Sequence, residues 1–139
     1  MHPIIRNILA VLAGLLLGSL VNGGLIGLSG HIIPPPEGYD ITTDAGLKAG
    51  IHLLEPKHFI FPFLAHALGT FAGALTTALI AANRKMGLAM LIGLLFFIGG
   101  AVMVYKLQAP MWFNITDLVL AYFPMALLGA RLGIRKKAG

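Results

Sequence analysis

Apolar residues fall along the chain in four long runs, each closed by a short polar group. The first run, Ile8 to Leu28, holds only Ser19 and Asn22 as polar side chains. At about 1.5 Å per residue it reaches roughly 31 Å, the thickness of one hydrocarbon core. The second, Phe59 to Ala82, is interrupted by Pro62, His66 and three threonines and is closed by Asn83-Arg84-Lys85. The third extends from Met86 to about Tyr105. The fourth starts near Phe113, after a turn marked by Pro110 and Asn114, and ends at Arg131. The pattern predicts an all-α integral membrane protein: a bundle of four transmembrane helices at about 5–28, 58–83, 86–106 and 113–133, in a single membrane domain over 1–139. Arg6 ahead of the first run and Val21-Asn22-Gly23 within it also suit a signal peptide, but the run is longer than a usual signal core, which favours a retained helix.

Between the first two runs lies the one sizeable polar segment, a loop at 29–57. Pro34-Pro35-Pro36 predicts a stiff extended stretch, and Glu37-Gly38-Tyr39-Asp40 a turn. Beyond it, Thr43-Asp44 can cap a short helix whose Leu47, Ile51 and Leu54 recur at i, i+4 and i+7. One apolar face on a short helix predicts an element lying in the membrane interface.

Composition strengthens the membrane reading. Apolar residues make up 58% of the chain and charged residues 11%, against about 45–50% and about 25% in soluble domains. That is too little charge to cover a water-facing globule. Cysteine is absent, which excludes disulfides, thiolate metal sites and a cysteine nucleophile.

The placement of the +5 formal charge sets the orientation. Arg6, Arg84, Lys85, Arg131, Arg135, Lys136 and Lys137 fall at one end of the helices with no acidic residue among them. The other end receives Glu37, Asp40, Asp44, Glu55 and Asp117 with Lys48, Lys57 and Lys106. An excess of Lys and Arg in short loops marks the cytoplasmic side. Both termini are therefore expected in the cytoplasm, in a bacterial cytoplasmic (inner) membrane. The basic tail Arg131 to Lys137 suits contact with anionic lipid, at about 1 kcal/mol per residue near the surface. Its basic residues lack interleaved aromatics, so no nucleic-acid partner is expected.

Small residues four apart let membrane helices approach closely. Gly14 and Gly18 share a face of the first helix, Gly69 and Gly73 of the second, and Gly129 and Gly133 of the fourth, while Ala89, Gly93 and Gly100 form a stripe on the third. These faces serve either packing within one bundle or an interface with a protein partner or a second copy. The lipid bilayer itself is the one partner that every reading requires.

On the second helix the 100° step gathers Pro62, His66, Thr70, Gly73 and Thr77 on one side. An ionisable residue inside a membrane is by default a functional hypothesis. Asn22 and Asp117 belong to the same outer half as His66, which yields a candidate intramembrane polar site of Asn22, His66, Thr70 and Asp117 with Tyr105 at its rim. The alternative makes His66 a hydrogen-bonding tie between helices and Asp117 a residue favoured by the positive end of its helix dipole. The outer histidines His31, His52 and His58 with Glu55 show neither the His-Glu-x-x-His nor the His-x-x-Glu-His order, so no metal is expected. Neither a Gly-x-Ser-x-Gly elbow nor a phosphate-binding glycine loop is present, no cofactor is expected, and enzymatic activity is the lesser expectation. The size suggests small multidrug resistance transporters, but the glutamate those proteins carry in their first helix has no counterpart here.

Three functions remain. A structural or accessory subunit packing in a larger membrane complex or oligomer asks least of the sequence. A small transporter or channel would use a polar path around His66 and the Thr70/Thr77 stripe. An outer-face ligand-binding protein or membrane enzyme would use His66, Asn22 and Asp117.

Overall fold

The computed structural model describes residues 1–138 and the side chains of residues 1–135; Lys136 and Lys137 of the basic tail lie outside the side chains described. The fold is helical throughout, with no strand among the described residues. In chain order the helices are α1 (Pro3–Ile32), α2 (Asp44–Gly50), α3 (Ile60–Ile80), α4 (Lys85–Leu107), α5 (Met111–Leu120) and α6 (Phe123–Ala138). Two short 3-10 turns, Ile51–Leu53 and Pro56–Phe59, lead from α2 into α3. Four helical columns, α1, α3 with its preceding turn, α4, and α5 continued by α6, are long and apolar enough to cross a membrane.

The centre of the arrangement is α3, which packs against α1, α4 and α6. Its buried positions are nearly all small: Ala65, Ala67, Gly69, Thr70, Gly73, Ala74, Thr77 and Ala78. Small side chains on both sides let backbones touch. A Cβ on Gly18 would stand 2.7 Å from the Gly69 carbonyl oxygen, and one on Gly129 2.6 Å from that of Phe71. Gly14 faces Gly73 and Thr77, Gly133 faces Ala78, and Gly93 faces Ala126. The glycines of α1 and α3 thus meet one another, and those of α4 and α6 pack against other helices of the same chain. In contrast, Gly23, Gly24, Gly27 and Gly30 toward the far end of α1 meet nothing within 4 Å.

Several element ends differ from the sequence expectation for definable reasons. The first helix continues four residues past 28, to Ile32, and stops at Ile33, whose extended backbone (φ −122°, ψ 90°) is what a residue before Pro34 adopts. The fourth column is not one helix: α5 ends at Leu120 and α6 begins at Phe123. Pro124 has no N–H for the Leu120 carbonyl, and its ring crowds that carbonyl, so the helix breaks one turn before it. In the loop, Thr43 Oγ1 accepts from the Gly46 amide at 3.0 Å and caps α2. Thr42 donates to Asp40 from its hydroxyl and its amide, and these bonds hold the Asp40 carboxyl below its ordinary range. The expected run of Leu47, Ile51 and Leu54 bends into the first 3-10 turn after Gly50, and Ile51 packs with Phe59 and Phe113 over the ends of α3 and α5.

At the basic end, α1 fastens the turn between α3 and α4. Asn7 Oδ1 accepts from the amides of Ala82 (2.9 Å) and Asn83 (3.4 Å), its Nδ2 donates to Asn83 Oδ1 (2.7 Å), and Arg6 Nε donates to the Ile80 carbonyl (2.7 Å). The last carbonyls of α3 lack intrahelical partners, and a cation there also meets the negative end of the helix dipole.

Candidate functional site

His66 lies six residues into α3, roughly 9 Å along the helix from Ile60. Its Nδ1 is 2.8 Å and 2.9 Å from the two carboxylate oxygens of Asp117 on α5. With carboxylate on that nitrogen, the ring donates its Nδ1 hydrogen. The Tyr122 hydroxyl donates to the second Asp117 oxygen at 3.0 Å. Tyr122, Asp117 and His66 therefore form one hydrogen-bonded chain. The carboxylate and the phenol are almost completely buried, Asp117 at 3% exposure and Tyr122 at 1%, whereas 21% of the His66 side chain remains accessible.

The break between α5 and α6 makes this cluster possible. On an unbroken α-helix, residues five apart point about 140° away from each other, and Tyr122 would turn from Asp117. In the non-helical pair Ala121–Tyr122 the phenol instead lies over the histidine, the rings stacked at 5.8 Å and 25°. Phe97 meets the other aspect of the phenol edge-on at 5.9 Å. Gly100 supplies the room, since a Cβ there would stand 2.6 Å from Tyr122 Cζ. The Gly100 of the sequence-predicted packing stripe is therefore a seat for a side chain of the site.

A cavity of about 420 Å³ opens on the accessible side of His66. Leu15, Ser19 and Asn22 line it from α1, Leu95, Phe96, Gly99, Gly100 and Met103 from α4, His66 from α3 and Tyr122 from the break between α5 and α6. The antiparallel pairing of Gly14 with Gly73 and Gly18 with Gly69 brings Asn22 to the level of His66. The two are not hydrogen-bonded. Asn22 Oδ1 is buried with no hydrogen-bond partner among the described residues, a condition that costs about 1–3 kcal/mol where no water or ligand relieves it.

Of the sequence-predicted site residues, the structure brings His66 and Asp117 into contact and sets Asn22 on the same cavity. Thr70 is fully buried, and its hydroxyl donates back to the His66 carbonyl at 2.7 Å. Thr77 donates to the Ala10 carbonyl at 3.2 Å between α3 and α1. Tyr105, expected at the rim, is instead 86% exposed and lines a second cavity of about 470 Å³ with Asp44, Lys48 and Lys106, which shares only Met103 with the cavity at His66. Tyr122 is the residue that sequence reasoning missed; its signal was the proline two positions on, which breaks the helix beside it.

Two of the three outer histidines have other partners. His58 Nδ1 accepts from the Glu55 amide at 2.9 Å while its Nε2 donates to the Pro34 carbonyl at 3.0 Å, joining the two ends of the loop. His31 Nδ1 donates to the Gly27 carbonyl at 3.2 Å. Among the described residues no three His, Cys, Asp or Glu side chains gather as a metal site.

The chain matches no family model, no curated protein and no solved structure in the three comparisons made. The chemistry of the site therefore stands on its geometry: a carboxylate fixed by two donors, an imidazole held by that carboxylate, and an amide across a cavity from it.

Proposed function

We propose that the protein crosses a membrane as a four-helix bundle with its basic end in the cytoplasm, and that it binds a small ligand in the outer half of the bilayer, at the cavity between α1 and α4. The observation that carries this reading is Asn22: a side chain that lines a cavity of about 420 Å³ at the level of His66 and whose carbonyl oxygen is buried without a partner. A polar atom left unpaired next to a cavity is satisfied when a ligand or water fills it. The hydrogen-bonded chain behind His66 supports the same conclusion, because it fixes the imidazole in one orientation before any ligand arrives. The orientation rests on the excess of Lys and Arg in the short segments of one end. The Thr70/Thr77 stripe lends no support to a channel, since both hydroxyls are committed to backbone carbonyls, that of Thr70 within α3 and that of Thr77 across to α1.

A second reading, as an accessory subunit or oligomer component, is favoured by one observation. Gly23, Gly24, Gly27 and Gly30 stand free on α1, on a helix whose apolar surface is largely exposed. Native mass spectrometry of protein released from its own membrane in mild detergent separates the two. Ligand binding predicts a small-molecule mass on the wild-type protein that is absent from Asn22→Leu. The same adducts on both would contradict it, and a stoichiometric larger protein travelling with the chain would favour the second reading.

A further inference from the structure

We propose that the ligand is a neutral amphipathic molecule headed by a hydroxyl group, an alcohol or phenol dissolved in the membrane, that enters sideways between α1 and α4. This inference rests on the ligand-binding reading and adds the class of ligand and its route.

The route follows from what surrounds the cavity mouth. Ser19, Leu95 and Gly99 line the cavity and are exposed. Around them the accessible surface is apolar: Leu16 and Leu20 on α1 are 64% and 61% exposed, and Ile98 and Val102 on α4 are 50% and 46% exposed. A mouth framed by leucine, isoleucine and valine, on helices long and apolar enough to span, faces acyl chains rather than water. Gly99 has nothing within 4 Å of where its Cβ would lie, so the wall is open at that point.

The head group follows from the polar atoms inside. His66 donates its Nδ1 hydrogen to Asp117, so in the neutral ring Nε2 is an acceptor. Nε2 has no partner among the described residues, and neither does the buried Asn22 Oδ1. The neighbouring Asn22 Nδ2 is a donor. With the Nδ1 hydrogen given to Asp117, the site presents two acceptors, Nε2 and the Asn22 carbonyl, and one amide donor. A carboxylate or phosphate would meet lone pairs with no cation to balance it, for no Lys or Arg lines the cavity. A hydroxyl both donates and accepts, and so can answer the imidazole and the amide that line the same cavity. Phe96, Met103 and Leu15 offer an apolar lining for the adjoining body of the ligand.

Methionine methyl NMR on the full chain in lipid nanodiscs tests this, since Met103 lines the cavity and the remaining methionines serve as internal controls. Titration with 4-octylphenol is expected to shift Met103 saturably. Its methyl ether, 4-octylanisole, has the same body without the donor and should bind at least about tenfold more weakly, the size of one net hydrogen bond. Binding should fall similarly in Asn22→Leu and be blocked in Gly99→Leu, a substitution that enters open space and leaves helix packing intact. A response to 1-dodecanol as well would mark the hydroxyl itself as the recognised group, and a response to the phenol alone would mark aromatic alcohols; both support the inference. Equal binding of phenol and ether, or undiminished binding to Gly99→Leu, would overturn it while leaving a ligand cavity in place. No shift at Met103 with any of the three would overturn the inference, and the ligand-binding reading falls with it only if the wild-type protein from its own membrane also carries no adduct that Asn22→Leu lacks.

Discussion

Asp117 is held by two donors of different kinds, and each can be removed alone. Tyr122→Phe deletes only the hydroxyl, keeping the ring between His66 and Phe97. A hydrogen bond to a charged acceptor contributes about 1.5–3 kcal/mol, so this variant should lose that much in reversible unfolding from detergent micelles; unchanged stability would mean that the phenol is packed but not bonded. At this scale the sequence was partly legible. His66 and Asp117 stood out because ionisable groups inside apolar runs need partners, and their pairing follows from that need. Tyr122 did not stand out, because tyrosine is common near membrane surfaces and its orientation depends on a helix break. Tyr105, the more conspicuous tyrosine, lies 86% exposed on another cavity. Asn22 was legible as a polar residue in an apolar run, but only the pairing of α1 with α3 sets it level with His66.

Among the elements, the interrupted column α5–α6 does the most for the site. Pro124→Ala returns an N–H to the Leu120 carbonyl and removes the clash that ends α5. The helix should then continue through Ala121–Tyr122, visible as slowed amide exchange there, and carry the phenol away from Asp117. The decisive test is the coupling: in the Pro124→Ala background, Tyr122→Phe should cost about zero instead of the 1.5–3 kcal/mol expected in the wild type. An undiminished cost would show that Tyr122 reaches Asp117 without the break. The four long apolar runs were legible from hydrophobicity alone. Their ends were less so, because Ile32 and Leu120 are apolar residues in apolar surroundings and only the downstream prolines, Pro34 and Pro124, tell where the helices stop. The expected helix over Leu47–Leu54 has the right cap and face but is cut short at Gly50, which packs against the Tyr39 ring.

For the whole molecule, charge distribution and glycine placement govern how the chain would sit in a bilayer and with whom. The absence of cysteine makes single-cysteine labelling clean. In intact cells a membrane-impermeant maleimide should label Asp44→Cys directly and Arg135→Cys only after permeabilisation; the reverse pattern would refute the proposed orientation. The glycine faces predicted from sequence are used within the chain, those of α1 and α6 against α3 and that of α4 against Ala126 and Tyr122, and what the sequence left open was which helices each would meet. That choice depends on the three-dimensional partners of each face and not on the spacing of small residues. The proposed ligand site turns on His66, held by Asp117 on one side and accessible on the other. Nitrogen-15 NMR of the histidine-labelled protein in nanodiscs at neutral pH, assigned with His66→Gln, reads this directly. The expected result is a proton on Nδ1, shared with Asp117, and a bare Nε2 whose resonance moves when a hydroxyl-headed ligand is added. A proton on Nε2 with Nδ1 bare would contradict it.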